Sequence, residues 1–348
     1  MQQNLLEKWL NVIPRNSNIK DVFYIKWNRK KPTISYWTTK INKNTNFSIK
    51  IKWRETNKLI TICGDIGDYD ENNYYDALNK SIKKNYNIPI IKSHLQKAIR
   101  RQEHIIAMKS AWLMLRIDIL AFLRRIMIIM IEDVYLHESF VICQWLLCAI
   151  SSGLFRIQKK HIQWLLGLVH VLSTDNRKDR IDNKEYNEDV ILKNLNENFI
   201  ELSEYEYSIL YSLYFRRSYG GMKSDKILIY NTAEKWFNRF IHKENYKINE
   251  KIKLISLESI GELDKEYWLL SGVDFHCCPY ILEWIHKRHD VFTIEKIKSL
   301  IWNYSSKINS REISITNNEI SIINDTEEEW NIIKRTVEEI QRNIIFNM

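Results

Sequence analysis

The stretch from Ser93 to Val134 contains neither glycine nor proline and is rich in large apolar side chains. Its apolar residues from Leu95 to Ile106 follow helical spacing. Ser93 is a candidate N-cap for this helix, and Asp118 can cap a second helix with its own apolar face. A long run without helix breakers favours helices, so this stretch predicts a helical block at the centre of the fold.

Charged side chains interrupt this apolar run at regular intervals. Lys97 and Arg101 lie four residues apart and are expected on a solvated basic stripe beside the apolar face. Asp118, Arg125 and Glu132 lie seven residues apart, so one stripe of the second helix reads acid, base, acid. Charges in such a run are costly unless paired. The pattern therefore indicates either a structural ion network or part of a site.

Two segments of this stretch carry a family resemblance. The segment LQKAIRR begins at Leu95, and the segment RRIMIIMIEDV ends at Val134. Together they resemble the helical domain that follows the ATPase core in replication-associated AAA+ proteins of the clamp-loader kind. The resemblance covers residues 93–134 and includes no catalytic motif. It implies oligomer contacts and assembly on DNA in replication or repair.

The N-terminal region changes to a period of two. In the segment from Phe47 to Trp53, apolar residues alternate with Ser48, Lys50 and Lys52, and Arg54 follows. Together with strands predicted at 22–27, 33–38 and 59–63, this segment predicts a small antiparallel sheet with one strongly basic face.

The same sheet is rich in aromatic residues, namely Tyr24, Trp27, Tyr36, Trp37 and Trp53. A basic sheet with aromatic rings is typical of surfaces that bind single-stranded nucleic acid by base stacking. The alternative is that the rings form the core of the sheet, which is the more common use of tryptophan.

The charge of the chain is unevenly distributed. Residues 1–100 contain 19 Lys and Arg against 8 Asp and Glu, a net charge of +11, whereas the whole chain carries +9. The remaining residues therefore carry −2. A basic N-terminal module favours a polyanion, usually nucleic acid, as the partner. The candidate phosphate contacts in residues 1–101 are Lys50, Lys52, Arg54, Lys97, Arg100 and Arg101.

A further anion site is suggested by the chain's only Gly-Gly pair. Arg216, Arg217 and Lys223 flank this pair and could bind a phosphate together with the glycine amides. The alternative is a glycine cap that ends the helix predicted at 201–216, with cations in its last turn.

The densest set of potential metal ligands lies between residues 274 and 289. Asp274, His276, His286 and His289 could hold zinc or another divalent metal, and His286 and His289 are one helical turn apart. Cysteines in this segment are adjacent and show no CxxC spacing, which zinc sites usually have. The alternative is an ordinary set of capping and buried residues, with no cofactor.

The C-terminal segment predicts a hairpin followed by a helix. The hairpin would pair residues 312–316 with residues 319–323 around Asn317-Asn318. The helix from Thr326 places an apolar seam on one side, made of Trp330, Ile333, Val337, Ile340 and Ile344. This seam could pack within the chain or against another protein.

Together these patterns predict a mainly α protein with a small antiparallel β-rich N-terminal module. Composition divides the chain into a basic β-rich module at 1–90, a helical block at 91–172, a polar linker at 173–190 and a mostly helical C-terminal domain with a small hairpin at 191–348. Residues 93–134 and 326–346 are the candidate surfaces for a protein partner or a homo-oligomer.

Several classes of protein are disfavoured by what the sequence lacks. With eight glycines it contains none of the motifs G-x-x-x-x-G-K-[ST], G-x-G-x-x-G and G-x-S-x-G, so the resemblance carries no ATPase activity with it. The apolar run from Leu113 to Ile131 contains several charges, so we expect no membrane span. Five scattered cysteines without a secretory signal predict an intracellular protein of the cytoplasm or nucleus, not a secreted one.

The hypothesis favoured by these patterns is a non-enzymatic, nucleic-acid-associated accessory protein in genome replication, repair or expression. One alternative is a metal-dependent hydrolase or nuclease that uses the 274–289 cluster. Another is a structural or scaffolding subunit of a larger assembly. The heavy use of Ile, Lys and Asn is typical of an AT-rich genome, such as that of a large DNA virus, a parasite or a plasmid.

Overall fold

The computed structural model describes residues 21–27, 33–53, 57–67, 74, 86–181, 202–244, 251–311 and 317–347. Within these ranges it contains ten α-helices and one four-stranded sheet near the N-terminus. The predicted fold class, mainly α with a small β module, is confirmed.

The strands precede all of the described helices. They are β1 (Val22–Lys26), β2 (Ile34–Thr38), β3 (Phe47–Lys52) and β4 (Leu59–Asp65). The helices are α1 (Ile88–Arg100), α2 (His104–Ile117), α3 (Ile119–Asp133), α4 (Ser139–Ser151), α5 (Lys159–Thr174), α6 (Glu204–Arg216), α7 (Lys223–Ile241), α8 (Pro279–Arg288), α9 (Ile294–Ile301) and α10 (Asn317–Phe346). No helix in the described ranges has both the length and the apolar character needed to cross a membrane.

The chain divides into two compact units, and each gathers three separate segments. The first unit contains Met1–Tyr75, Leu123–Gln158 and Asp179–Ile252, and the second contains Asp76–Phe122, Lys159–Lys178 and Lys253–Met348. The two units thus interleave along the sequence. The division into four consecutive parts stays a prediction.

The sheet of the first unit is mixed, with the strand order β2-β1-β4-β3. β1 pairs with β2 and β3 pairs with β4 in the antiparallel sense, as expected of hairpins. The central pair, β1 with β4, is parallel. The prediction of a purely antiparallel sheet is therefore wrong at its centre, because local alternation defines each hairpin but not how two hairpins join.

One face of this sheet packs against α4 and α6. Trp37 is fully buried there and stacks on Phe23 with ring centroids 4.2 Å apart. The main-chain N–H of Trp37 donates to Ser208 Oγ at 3.0 Å, and its indole N–H donates to Ser212 Oγ at 3.0 Å. Two serines one helical turn apart on α6 therefore satisfy the two donors of this residue.

The aromatic residues of the sheet belong to its core. Tyr24, Trp27, Trp37 and Trp53 are all buried, and Tyr36 is half-buried. Trp53 packs edge-on against Phe215 of α6, with ring centroids 4.6 Å apart. The prediction that the rings form the core of the sheet is confirmed for the four buried ones, so these four offer no exposed surface on which bases could stack.

In the second unit, the helical block begins earlier than expected. α1 starts at Ile88, and the side chain of Asn87 accepts a hydrogen bond from the amide of Ile90. The prediction that Ser93 is the N-cap is wrong, because Asn87 and Pro89 already provide a capping side chain and a proline in the first turn. The prediction for Asp118 is confirmed, since its carboxylate accepts from the amide of Ala121 at 2.8 Å.

The C-terminal segment is a single long helix. α10 begins at Asn317, so the predicted hairpin strand at 319–323 is wrong, and residues 312–316 lie outside the described residues. The short isoleucine-rich segment 319–323 fits the periodicity of a strand as well as that of a helix, and in the structure it is part of the continuous helix α10. The predicted seam is confirmed and packs within the second unit, with Ile333 and Val337 fully buried.

The first residues of the predicted linker are built into the fold. Ser173 and Thr174 end α5, and Asp175 is buried beside Arg177, whose guanidinium donates to its carboxylate. Arg311 donates to the carbonyls of Leu172 and Asp175. The rest of the linker, from residue 182, lies outside the described residues.

A fully buried histidine connects α1 to its neighbours in the second unit. His94 Nδ1 lies 2.8 Å from Ser110 Oγ, which itself donates to the carbonyl of Ile106. His94 Nε2 accepts from the amide of Leu269 at 2.8 Å. The ring is therefore neutral, with its proton on Nδ1. Gly272 is required beside it, because a Cβ at that position would lie 2.6 Å from the ring.

Burial, reinforced by the charge of Arg101, lowers the pKa of His94 to about 3. In the unfolded chain, the His94 ring binds a second proton near pH 6.5. The contribution of the buried neutral ring to the unfolding free energy is therefore complete above that pH and is lost as the pH falls. We expect His94→Gln, which keeps an acceptor, to reduce the slope of unfolding free energy against pH by up to about 1.4 kcal/mol per pH unit. Urea unfolding between about pH 6 and pH 4 measures it.

The matched control is His242→Gln, at an exposed histidine. An unchanged slope in the His94 variant would contradict the assignment of a buried neutral ring. His161 is also buried, with a pKa lowered to about 3 chiefly by burial, so a slope remains in both variants.

Candidate nucleic-acid interface

Strand β3 forms one edge of the sheet in the part of the chain that the structure describes. The amide of Trp53 donates to the carbonyl of Lys58, and the register pairs Ile51 with Ile60 and Ile49 with Ile62. In an antiparallel ladder, hydrogen-bonded pairs alternate with pairs whose main-chain groups point away. The main-chain N–H and C=O groups of the residues between them therefore point out of the sheet edge. These residues are Ser48, Lys50 and Lys52.

The pairing on the other side of β4 gives the same result. The amide of Thr61 donates to the carbonyl of Asp21, and the amide of Trp27 donates to the carbonyl of Asp65. Thr61 and Asp65, and by alternation Cys63 between them, therefore direct their main-chain groups toward β1. The alternate residues of β4, Ile60, Ile62 and Gly64, are left to pair with β3.

The predicted alternation of β3 is confirmed. Ser48, Lys50 and Lys52 are exposed, whereas Phe47, Ile49 and Ile51 are half-buried. The side chains of Lys50 and Lys52 make no hydrogen bond or ion pair with the described residues. Both lysines are therefore available to a ligand. Arg54, the third predicted cation, lies outside the described residues.

The described part of the sheet region, residues 21–67, is basic. It contains six lysines and two aspartates, which gives +4. The lysines are Lys26, Lys40, Lys43, Lys50, Lys52 and Lys58, and the aspartates are Asp21 and Asp65.

The middle of the face that carries these lysine side chains is covered. Val22, Tyr24 and Cys63 are buried there, with Tyr36 packed against them. Burial raises the pKa of Tyr24 to about 12, with Asp65 adding to the effect, and raises the pKa of Cys63 to about 11. A ligand therefore reaches the β3 edge and not the centre of this face.

The cations of the LQKAIRR segment lie inside the second unit. Lys97 and Arg100 are buried, and both donate to the carbonyl of Ser306. Arg101 donates to the carbonyl of Ser305 and to Ser271 Oγ. The predicted solvated stripe is therefore wrong for Lys97 and Arg101. Cations that satisfy carbonyls at a helix end can be buried, which helical spacing alone does not reveal.

Two of the four candidate metal ligands lie together. Asp274 Oδ1 is 2.6 Å from His276 Nδ1, and Asp274 Oδ2 is 3.1 Å from Lys97 Nζ. Burial alone would raise the pKa of Asp274, but the hydrogen bond from His276 and the charge of Lys97 outweigh burial and hold it below its ordinary value. The carboxylate is thus engaged by two partners from this unit.

The other two candidate ligands have different partners. His286 Nδ1 is 2.7 Å from the carbonyl of Phe292, and His289 Nε2 is 2.8 Å from Thr336 Oγ1. Across the described ranges, no three His, Cys, Asp or Glu side chains form a group that could hold a metal ion. A zinc or other divalent-metal site stays a prediction.

The glycine pair after α6 ends a helical run, as the capping interpretation predicted. Gly220 and Gly221 have φ values of 82° and 130°, which favour glycine. Arg216 is buried and donates to the carbonyls of Gly220 and Arg124. Burial lowers its pKa to about 10, so it stays charged at neutral pH.

The position of an anion at this turn is taken by the chain itself. The carboxylate of Asp225 accepts from the amide of Met222 at 3.1 Å, and a Cβ added at Gly221 would lie 3.0 Å from it. Arg217 lies over the ring of Tyr230, and Lys223 is exposed at the start of α7. A phosphate contact by Arg217 or Lys223 stays a prediction.

Sequence reasoning missed two kinds of residue. Ser48 was placed on the correct face of β3, but its outward main-chain groups depend on the strand pairing. Arg311 is buried and donates to four carbonyls, including those of Ile99 and Arg100, although nothing in the local sequence indicates this.

No protein-family model, curated protein or solved structure matches this chain.

The buried position of Lys97 makes a prediction about stability. Lys97→Met leaves the Asp274 carboxylate without its cation and the Ser306 carbonyl without one donor, so we expect a loss of about 3–5 kcal/mol in unfolding free energy. Lys50→Met, at the exposed edge, is the matched control and should change stability by less than about 0.5 kcal/mol. Urea unfolding compares the two.

A double variant, Lys97→Met with Asp274→Leu, should recover much of that loss because no charge is then stranded. Equal stabilities for Lys97→Met and Lys50→Met would show that the Lys97–Asp274 pair contributes little.

Proposed function

We propose that this protein binds nucleic acid through the β3 edge, as a non-enzymatic accessory protein. The observation that supports this proposal is the exposure of Lys50 and Lys52 on an open sheet edge, with no partner for either side chain among the described residues. By contrast, Lys97, Arg100 and Arg216 are committed to interactions within their own units.

Electrostatics favour a polyanion at this edge. Lys50 and Lys52 lie two residues apart on a strand, which separates their Cα atoms by about 7 Å. Repeated phosphates can neutralise both lysines at once and release bound counterions. Phosphate contacts of this kind give affinity without choice of sequence.

The edge also has a structural alternative. Lysines on edge strands keep sheets of different molecules from pairing with each other. On that interpretation Lys50 and Lys52 only prevent aggregation and bind nothing. The alternative predicts that their removal changes solubility and leaves nucleic-acid binding unaffected.

A role in genome replication, repair or expression is supported only by the resemblance of residues 93–134 to the clamp-loader type of helical domain. Lys97, Arg100 and Arg101 of that segment donate to carbonyls within the second unit, so these three add no phosphate contacts to the proposal.

Removing both edge lysines should weaken binding in a salt-dependent way. For Lys50→Ala/Lys52→Ala, we expect the slope of log affinity against log salt concentration to fall by about 0.7–0.9 for each phosphate that no longer meets a lysine, with similar decreases for unrelated sequences. Fluorescence anisotropy with labelled oligonucleotides at several salt concentrations measures this slope.

The matched control removes the same charge elsewhere. Lys298→Ala/Lys334→Ala replaces two exposed lysines of α9 and α10. Similar slopes for both double variants would mean that only net charge matters, and an unchanged slope in the β3 variant would contradict the proposal.

A further inference from the structure

We infer that the β3 edge takes single-stranded nucleic acid, with base edges pairing to the outward main-chain groups of β3 and phosphates on Lys50 and Lys52. This inference rests on the proposed function and names its substrate class. It differs from binding by base stacking, because the base is recognised through hydrogen bonds in its own plane.

The main-chain geometry of the edge carries this inference. Ser48, Lys50 and Lys52 each direct one N–H donor and one C=O acceptor out of the sheet. These three residues are exposed and have no further hydrogen bond with the described residues. The edge therefore offers three donor–acceptor pairs over about 13 Å, since alternate residues repeat at about 6.7 Å.

Nucleic-acid bases match these pairs when they are unpaired. On its Watson–Crick edge, each base has a donor beside an acceptor: an amino group beside a ring nitrogen in adenine and cytosine, and a ring N–H beside a carbonyl in guanine and uracil or thymine. Single strands expose these edges to proteins, whereas a duplex uses them for its own pairing. A main-chain pair accepts any of the four bases, so selection falls on strandedness and not on sequence.

Two other surfaces of the described sheet are less available to a ligand than the β3 edge. The outward amide of Trp37 on the opposite edge strand, β2, already donates to Ser208 Oγ. The four buried rings leave no stacking platform among themselves, and Val22, Tyr24 and Cys63 are covered. Within the described residues of the sheet, the β3 edge combines open main-chain groups with uncommitted cations.

A polypeptide strand could pair with the same groups, but the lysines disfavour it. Edge lysines oppose the addition of another strand, because their ammonium groups would be brought against a neighbouring backbone. Phosphates instead gain from these charges. Nucleic acid therefore fits the edge better than a peptide does.

The decisive comparison uses a proline that removes one outward amide and nothing else from the ladder. Proline is tolerated in an edge strand where the N–H points away from the sheet. Ser48→Pro deletes the outward N–H of Ser48 and keeps both lysines, and Ser48→Ala controls for the loss of the hydroxyl. We expect Ser48→Pro to bind a single strand about three- to tenfold more weakly than Ser48→Ala.

The probes are a labelled single strand of about 12 nucleotides, a length within the usual site sizes, and its duplex. The unmodified chain should bind the single strand more tightly than the duplex at equal salt. Hydrogen exchange followed by mass spectrometry gives an independent measurement if Ser48→Pro fails to fold. The amides of Ser48, Lys50 and Lys52 should be protected by the single strand and not by the duplex.

Each of the other outcomes contradicts either this inference or the proposed function. If single strand and duplex bind equally and the lysine variant weakens both, the proposed function stands and this inference fails. If the single strand binds through the lysines without protecting these amides, the base-edge contact fails. If neither form binds the wild type, the proposed function fails with it. If an extended polyglutamate peptide protects the amides instead, the edge takes a polypeptide strand.

Discussion

The parallel pairing of β1 with β4 is the constraint on which the first unit depends. It joins two hairpins into one sheet and determines which main-chain groups of each strand point inward. With β1 and β4 at the centre, β2 and β3 become the edges. At the β2 edge, Ser208 of α6 accepts from the outward amide of Trp37. The outward-facing residues of β3 are exposed and have no further hydrogen bond with the described residues. The candidate interface therefore follows from the strand order and not from any single residue.

The second unit uses its cations in the opposite way. Lys97, Arg100, Arg101 and Arg311 direct their donors at main-chain carbonyls, and Asp274 is the carboxylate that pairs with Lys97. An unpaired buried carbonyl costs free energy, and a charged donor satisfies it more strongly than a neutral one. The LQKAIRR segment, whose sequence predicts a basic surface, thus stabilises the interior of the second unit.

Much of the fold could be predicted where a pattern is long and one-sided. The alternation of Phe47–Lys52 and the seam of α10 both placed their residues on the correct side. The prediction fails where the period is short, as at residues 319–323, which suit a strand or a helix equally.

The candidate site was predictable only in part. Lys50 and Lys97 look alike in the sequence, since each is a lysine beside apolar neighbours. Their difference arises from partners far along the chain, because Lys97 meets Ser306 more than 200 residues later. The outward direction of the Ser48 amide likewise depends on strand pairing. The pairing of β4 with β1 decides which β4 residues pair with β3, and the local sequence of β3 does not reveal this.

The interleaving of the two units has a consequence for synthesis on the ribosome. Trp37 finds its hydrogen-bond partners on α6, 171 and 175 residues further along the chain. Until that helix has been translated, the two N–H donors of Trp37 lack their native acceptors, and of the two covering helices only α4 is present. Contacts of such long sequence separation slow folding and prolong the exposure of sheet edges. A nascent chain that ends before α6 should therefore be a client for chaperones, and fragments cut at the boundary of the β-rich region should be poor substitutes for the whole chain.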